Sequence, residues 1–152
     1  MIAVPMREIA VDPDVYRVAG RNTTLVANLQ AAVAVCVHDD SQGIGGLLHM
    51  RYVWTTQNDE PLEFTDNTLC TDILLLDRFF KELKKQGARM KALRTRIFAH
   101  TPPAEGLEHP IASVLDLLRA YFADERVAPE IREVKGLRPC KLSFDAHEGR
   151  IW

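Results

Sequence analysis

The chain has 152 residues, a length that predicts one domain, residues 1–152, around a single principal core. Apolar residues make up 47% and charged residues 26%, so disorder is not the expected state for most of the chain. A formal net charge of −2 gives no general electrostatic reason to expect nucleic acid or an anionic membrane as a partner.

At the N-terminus, Arg7 and Glu8 interrupt the apolar residues and leave no signal-peptide core. No apolar run reaches the length of a membrane span, and a cytoplasmic location is expected. Ala31 to Val37 is an almost unbroken small and apolar run, which predicts a strand buried on both faces. Gly43-Ile44-Gly45-Gly46 predicts a hairpin turn. It is not a phosphate loop, because no Lys-Ser/Thr pair follows and no helix starts after it. Leu47 to Trp54 alternates loosely and predicts the next strand, with His49 near its start. Thr55 to Asp66 reads as a long irregular loop.

From about Asn67 to Gln86 the apolar period becomes helical. Leu69, Ile73, Leu76, Phe80 and Leu83 form one stripe. Asp66 or Asn67 can cap the start, Lys81, Lys84 and Lys85 suit the C-terminal dipole, and Gly87 can close the helix. Leu93 to Phe98 alternates apolar and small residues with Arg94 and Arg96, predicting a strand. His100 to Pro110 is a second irregular segment. Pro110 to Ala123 predicts a helix whose stripe is Ile111, Val114, Leu115, Leu118 and Phe122, with Pro110 at its first position. Ile131 to Val134, Cys140 to Phe144 and Arg150 to Trp152 are short strand candidates, and Asp145 to Gly149 a hairpin turn between the last two. The order predicts an α+β fold, mixed β-sheets with two main helices packed on the outside.

Few residues suggest chemistry on their own. Cys36, Cys70 and Cys140 are odd in number, far apart and fit neither a zinc pattern nor a disulfide framework. They read as small core residues. No two histidines have helical metal-ligand spacing, so neither a metal nor a cofactor is expected. His49 is the first candidate base, because imidazole titrates near neutral pH; a local structural hydrogen bond is the competing reading. His38, before Asp39 and Asp40, reads as a strand end. His100, His109 and His147 fall in predicted loops. The basic stretch Lys81 to Arg96 either attracts acidic partners or is the solvated end of a helix and the strand after it.

Ala32-Val-Ala-Val-Cys36-Val-His-Asp39, then Gly43-Ile-Gly-Gly-Leu-Leu-His49, resembles the signature region of the chemoreceptor glutamine deamidase (CheD) family. That signature reads Leu-Gly-Ser-Cys-Val-Ala-Val-Cys, an acidic turn, and a Gly-rich segment ending in a catalytic His. Arg7 to Pro13 resembles the family's first strand, Lys85 to Phe98 its helix exit and next strand, and Lys141 to Trp152 its C-terminal hairpin. The resemblance implies a CheD-like fold and the conversion of receptor glutamine side chains to glutamate with release of ammonia. A cysteine thiolate would attack the amide and a histidine would activate it.

Carried over without gaps, Leu-Gly-Ser-Cys falls on Leu29-Gln30-Ala31-Ala32. The nucleophile position is therefore Ala32, which has no atom that can attack. His49 follows Ala32 by 17 residues and occupies the base position. The family's threonine position falls on Val26; Thr23 and Thr24 are close, a small shift could bring one of them in, and Thr24 is the candidate third residue. The family's later Gly-Gly and Gly-Arg pairs become Lys135-Gly136 and Pro139-Cys140. Cys36 shares a strand face with Ala32 but lies roughly 13 Å along it, too far to take over attack.

The preferred reading is natural loss of catalysis, because Gln30, Ala31 and Val26 also depart from the family pattern. The partners implied are chemoreceptor cytoplasmic helices or a chemotaxis phosphatase of the CheC type, with no membrane insertion. The alternatives are an active deamidase whose cysteine was exchanged for Ala32, and a small α+β binding protein of unrelated function.

Overall fold

The computed structural model describes residues 6–51, 66–101, 108–125 and 127–152, with helix side chains described from 73 and from 114 onward. The elements run β1 (Arg7–Ala10), β2 (Val15–Ala19), β3 (Thr23–Leu29), β4 (Ala32–Asp39), β5 (Ile44–Arg51), α1 (Asp66–Lys85), β6 (Leu93–Thr101), α2 (Glu108–Asp124), β7 (Glu130–Lys135) and β8 (Cys140–Asp145). The fold is α+β. Five strands form one sheet in the order β2-β5-β4-β6-β7, and three form a second in the order β1-β3-β8.

β4 is the centre of the molecule. It pairs antiparallel with β5 on one side and β6 on the other, and all eight of its residues are buried. Its odd-numbered residues Val33, Val35 and Val37 face α1 and α2, meeting Leu76, Phe79, Phe80, Leu83, Leu118 and Phe122. Its even-numbered residues Ala32, Ala34 and Cys36 face the smaller sheet, meeting Leu25, Ala27, Leu29, Leu142 and Phe144. The layers are therefore helices, five-stranded sheet and three-stranded sheet. A strand covered on both sides needs an apolar residue at every position, which is what the run from Ala31 to Val37 supplies.

Two glycines make the close approach possible. A Cβ on Gly45 would come within 2.8 Å of the Ala146 carbonyl oxygen, and one on Gly46 within 2.6 Å of the Phe79 ring. The first lets the smaller sheet close on β5 and the second lets α1 close on it. α1 ends where Gly87 adopts φ 107°, and the Ala88 N–H donates to the Leu83 carbonyl.

Several boundaries differ from the sequence reading. β5 begins at Ile44, so His49 lies near the end of its strand rather than near the start; the Gly45-Gly46 pair is strand, held there by packing. β6 runs to Thr101, so His100 is a strand residue and not a loop residue. α2 begins at Glu108, two residues before Pro110, and His109 lies on its first turn. Proline is tolerated there because first-turn N–H groups have no intrahelical acceptor. Arg150 to Trp152 forms an isolated bridge through Ile151 to Phe144 rather than a strand. In α1, Leu76, Phe79, Phe80 and Leu83 face the sheet, while Ile73 is 38% exposed in a groove beside Leu117 and Tyr121. The loop expected over Thr55 to Asp66 and the side chain of Cys70 lie outside the described residues, as does most of the loop expected after His100. Among the described residues, no helix is long and apolar enough to cross a membrane.

Candidate active site

The site begins where the chain changes sheets. β3 belongs to the smaller sheet and β4 to the larger, and only Gln30 and Ala31 connect them. A crossing this tight needs a left-handed residue, and Ala31 takes it, with φ 48°. That conformation costs a residue with a Cβ about 1 kcal/mol. The Ala31 N–H donates to His100 Nδ1 at 3.2 Å, pinning the turn to β6. Ala32 is the first residue after the turn and is fully buried.

The register places three side chains around Ala32 on the face toward the smaller sheet. His49 pairs directly with Ala34, and Arg51 with Ala32. His49 is therefore the diagonal neighbour of Ala32, with a Cβ separation of roughly 7 Å. On the other flank His100 pairs directly with Ala32. Ala32 and His49 sit on neighbouring strands and are closed off from solvent. They are 0% and 2% exposed, because the smaller sheet covers this face.

His49 is held at both its side chain and its backbone. Its Nδ1 donates to the Val11 carbonyl at 2.9 Å, and its own carbonyl accepts from the Asp14 N–H at 2.7 Å. Asp14 also pairs with Arg51 at 2.8 Å. Val11 N–H in turn donates to the Val26 carbonyl, which ties the segment between β1 and β2 to the smaller sheet. A carbonyl can only accept, so Nδ1 carries the proton and Nε2 carries the lone pair. Nε2 is buried and makes no hydrogen bond among the described residues. Burial lowers the pKa of His49 below its ordinary value; the Val11 carbonyl and the carboxylates of Asp14 and Asp12 only partly offset this. The result is a neutral imidazole with a free basic nitrogen.

The third candidate stands apart. Thr24 lies on β3, between Glu8 of β1 and Asp145 of β8. Leu25, Ala27 and Leu29 face the core shared with Ala32, so alternation sets Thr24 with Val26 on the opposite face. Cys36 is buried two pairs along β4, between Leu47 and Arg96. Burial pushes its thiol up to about 12, with Arg96 pulling weakly the other way. A thiol this reluctant to ionise is a core residue. Among the described residues no group of three or more His, Cys, Asp and Glu side chains could hold a metal ion. Sequence reasoning missed His100. The alternation of Leu93, Thr95, Ile97 and Ala99 continues through it, and that signal could have carried the strand two residues further.

Fold and site together define a helix-covered, two-sheet protein with a buried neutral histidine beside a side chain that cannot react. No family model matches the chain. It is 24% identical over 140 residues to a Burkholderia orbicola protein named a probable chemoreceptor glutamine deamidase CheD, covering 91% of this chain and 56% of that protein. A Burkholderia thailandensis protein of the same name is 23% identical over 146 residues, covering 95% and 62%. The chain is thus similar to these probable chemoreceptor glutamine deamidases over nearly its whole length, and it spans about 56% of the length of the first of them. In fold, it is similar to a Neisseria meningitidis protein described as DUF152. The TM-score is 0.51 at 8% identity, covering 88% of this chain and 65% of that one.

Proposed function

We propose that this chain is a catalytically silent relative of the receptor-glutamine deamidases that binds chemoreceptor cytoplasmic helices without deamidating them. The observation that carries the reading is the methyl group of Ala32 at the nucleophile position. Amide hydrolysis through a thioester needs a thiolate there, and Cys36, roughly 13 Å along the strand, cannot supply one. Burial of both Ala32 and His49 supports the same reading, since a protein substrate would have to part the two sheets to reach them. A chemotaxis phosphatase of the CheC type is the other partner that the relationship suggests, and a cytoplasmic location goes with either. No cofactor is needed for binding of this kind.

One feature favours the second reading, an active deamidase with its cysteine exchanged for alanine. His49 still carries a buried Nε2 with no hydrogen bond among the described residues, on the strand beside position 32, as a base would. Against it stand Gln30 and Ala31, which one exchange would not have altered.

The test is to mix the purified chain with a receptor cytoplasmic helical fragment and follow heat of binding and ammonia together. Saturable binding with ammonia at background is expected. Ammonia release that His49→Ala abolishes would overturn the silence. Absence of binding to the fragment, with binding to a CheC-type phosphatase, would move the partner assignment to the phosphatase.

A further inference from the structure

Arg94 and Arg96 are more than the end of a basic helix-strand segment, although Arg94 is exposed and Arg96 half-buried. They sit on the same face of the large sheet as Ala32, beyond the edge of the smaller sheet. There, with β7, β8 and the last residues of the chain, they line a groove of about 430 Å³. That volume lies within the range of sites for small organic ligands.

The lining has a definite chemistry. Four cationic residues, Arg94, Arg96, Arg132 and Lys141, line the groove with one acid, Glu130. Glu130 is engaged by Arg94 at 3.5 Å. Arg132 and Lys141 have no ion-pair partner among the described residues. Arg96 donates from Nη2 to the Gly149 carbonyl, and its Nε is buried with no acceptor among the described residues. Beneath the cations lies an apolar floor that includes Phe98 and Leu142. At the rim Trp152 is 60% exposed. Its backbone N–H and carbonyl are both tied to Ser143, at 2.9 and 2.8 Å, so the indole is offered from a fixed backbone.

We propose that this groove binds a phosphate-bearing heterocycle of mononucleotide size. The phosphate would be taken by Arg132 and Lys141, and the ring would lie on the apolar floor beneath Trp152. Guanidinium groups match phosphate oxygens in pairs, and a flat ring gains from stacking on an exposed indole. A cationic ligand is disfavoured by the surplus of positive charge. A peptide strand added along β7 is disfavoured too, since that edge carries Glu130, Arg132, Glu133 and Lys135, the alternating charge that blunts strand addition. The groove is reached along β6 and β7 and does not involve His49, so it stands whether or not the silent-deamidase reading does.

The experiment is titration of the full chain with adenosine monophosphate, adenosine, inorganic phosphate and a short oligothymidylate, read by calorimetry. Trp152 fluorescence is followed in a Trp54→Phe background. Saturable binding of adenosine monophosphate with quenching of Trp152 is expected, about tenfold or more tighter than adenosine or phosphate alone. The exposed double variant Arg132→Glu/Lys141→Glu should lose about tenfold or more of that affinity while its far-ultraviolet circular dichroism and thermal midpoint stay in place. No saturable binding on folded protein would overturn the proposal. So would equal affinity in the double variant, or phosphate binding as tightly as the nucleotide. Oligothymidylate binding more tightly than the mononucleotide would also overturn it, making the groove a nucleic-acid surface.

Discussion

His49 combines two properties at the scale of one residue, a donated Nδ1–H and an isolated Nε2. Its pKa is lowered chiefly by burial, from an ordinary 6.5. The unfolded chain therefore takes up this proton at higher pH than the folded one. The stability contributed by a neutral His49 is complete above the ordinary value and is lost as pH falls from there through the lower folded value. Urea unfolding of the wild type should weaken between neutral and mildly acid pH, by up to about 1.4 kcal/mol per pH unit from this group. His49→Gln should flatten that slope. Equal slopes in the two proteins would show that His49 is not desolvated as described. The left-handed Ala31 makes a second residue-scale prediction. Ala31→Gly removes the Cβ from a φ of 48° while leaving the N–H that donates to His100. It should raise stability by about 0.5–1 kcal/mol, the relief exceeding glycine's extra unfolded freedom. A lower urea midpoint would mean that the turn is not strained.

At the scale of elements, the contact between β5 and α1 depends on the absence of one side chain. Gly46→Ala puts a methyl group into the Phe79 ring and near the Arg17 carbonyl, so it should cost about 1–3 kcal/mol. Adding Phe79→Leu should recover part of that loss in a double-mutant cycle, because the clash is with the ring. Strict additivity would locate the damage elsewhere. The elements that were legible in the sequence are those whose pattern follows from a single environment. β4 lies between two apolar layers and reads as an unbroken run; α1 and α2 lie on one sheet face and read as stripes. β2 and β3 were not anticipated. β2 is a five-residue edge strand, and β3 ends in a crossing with no glycine or proline to announce it. Pairing in different sheets also hides the relation of β3 to β4, since adjacent strands joined by two residues ordinarily read as a hairpin.

For the whole molecule, the sandwich explains why the candidate site was only half legible. Ala32 and His49 were found by resemblance and spacing, and the register puts them one diagonal apart. What the sequence could not convey was that the face they share is roofed by a second sheet, or that β6 carries His100 to the far side of Ala32. Both depend on contacts between segments distant along the chain. The roof also bears on the central claim. Position 32 is fully buried, with Gln30 and Ala31 forming the turn before it, so a thiol introduced there would be desolvated rather than activated. The most direct measurement is the pH dependence of alkylation of Ala32→Cys, with the native cysteines monitored alongside. A silent scaffold should give a thiol that titrates at or above about 8.5, with no release of ammonia from receptor fragments. A thiol fully reactive near pH 6, well below the ordinary value of about 8.5, whose reactivity is lost with His49→Ala would contradict the account and identify a deamidase lacking only its nucleophile.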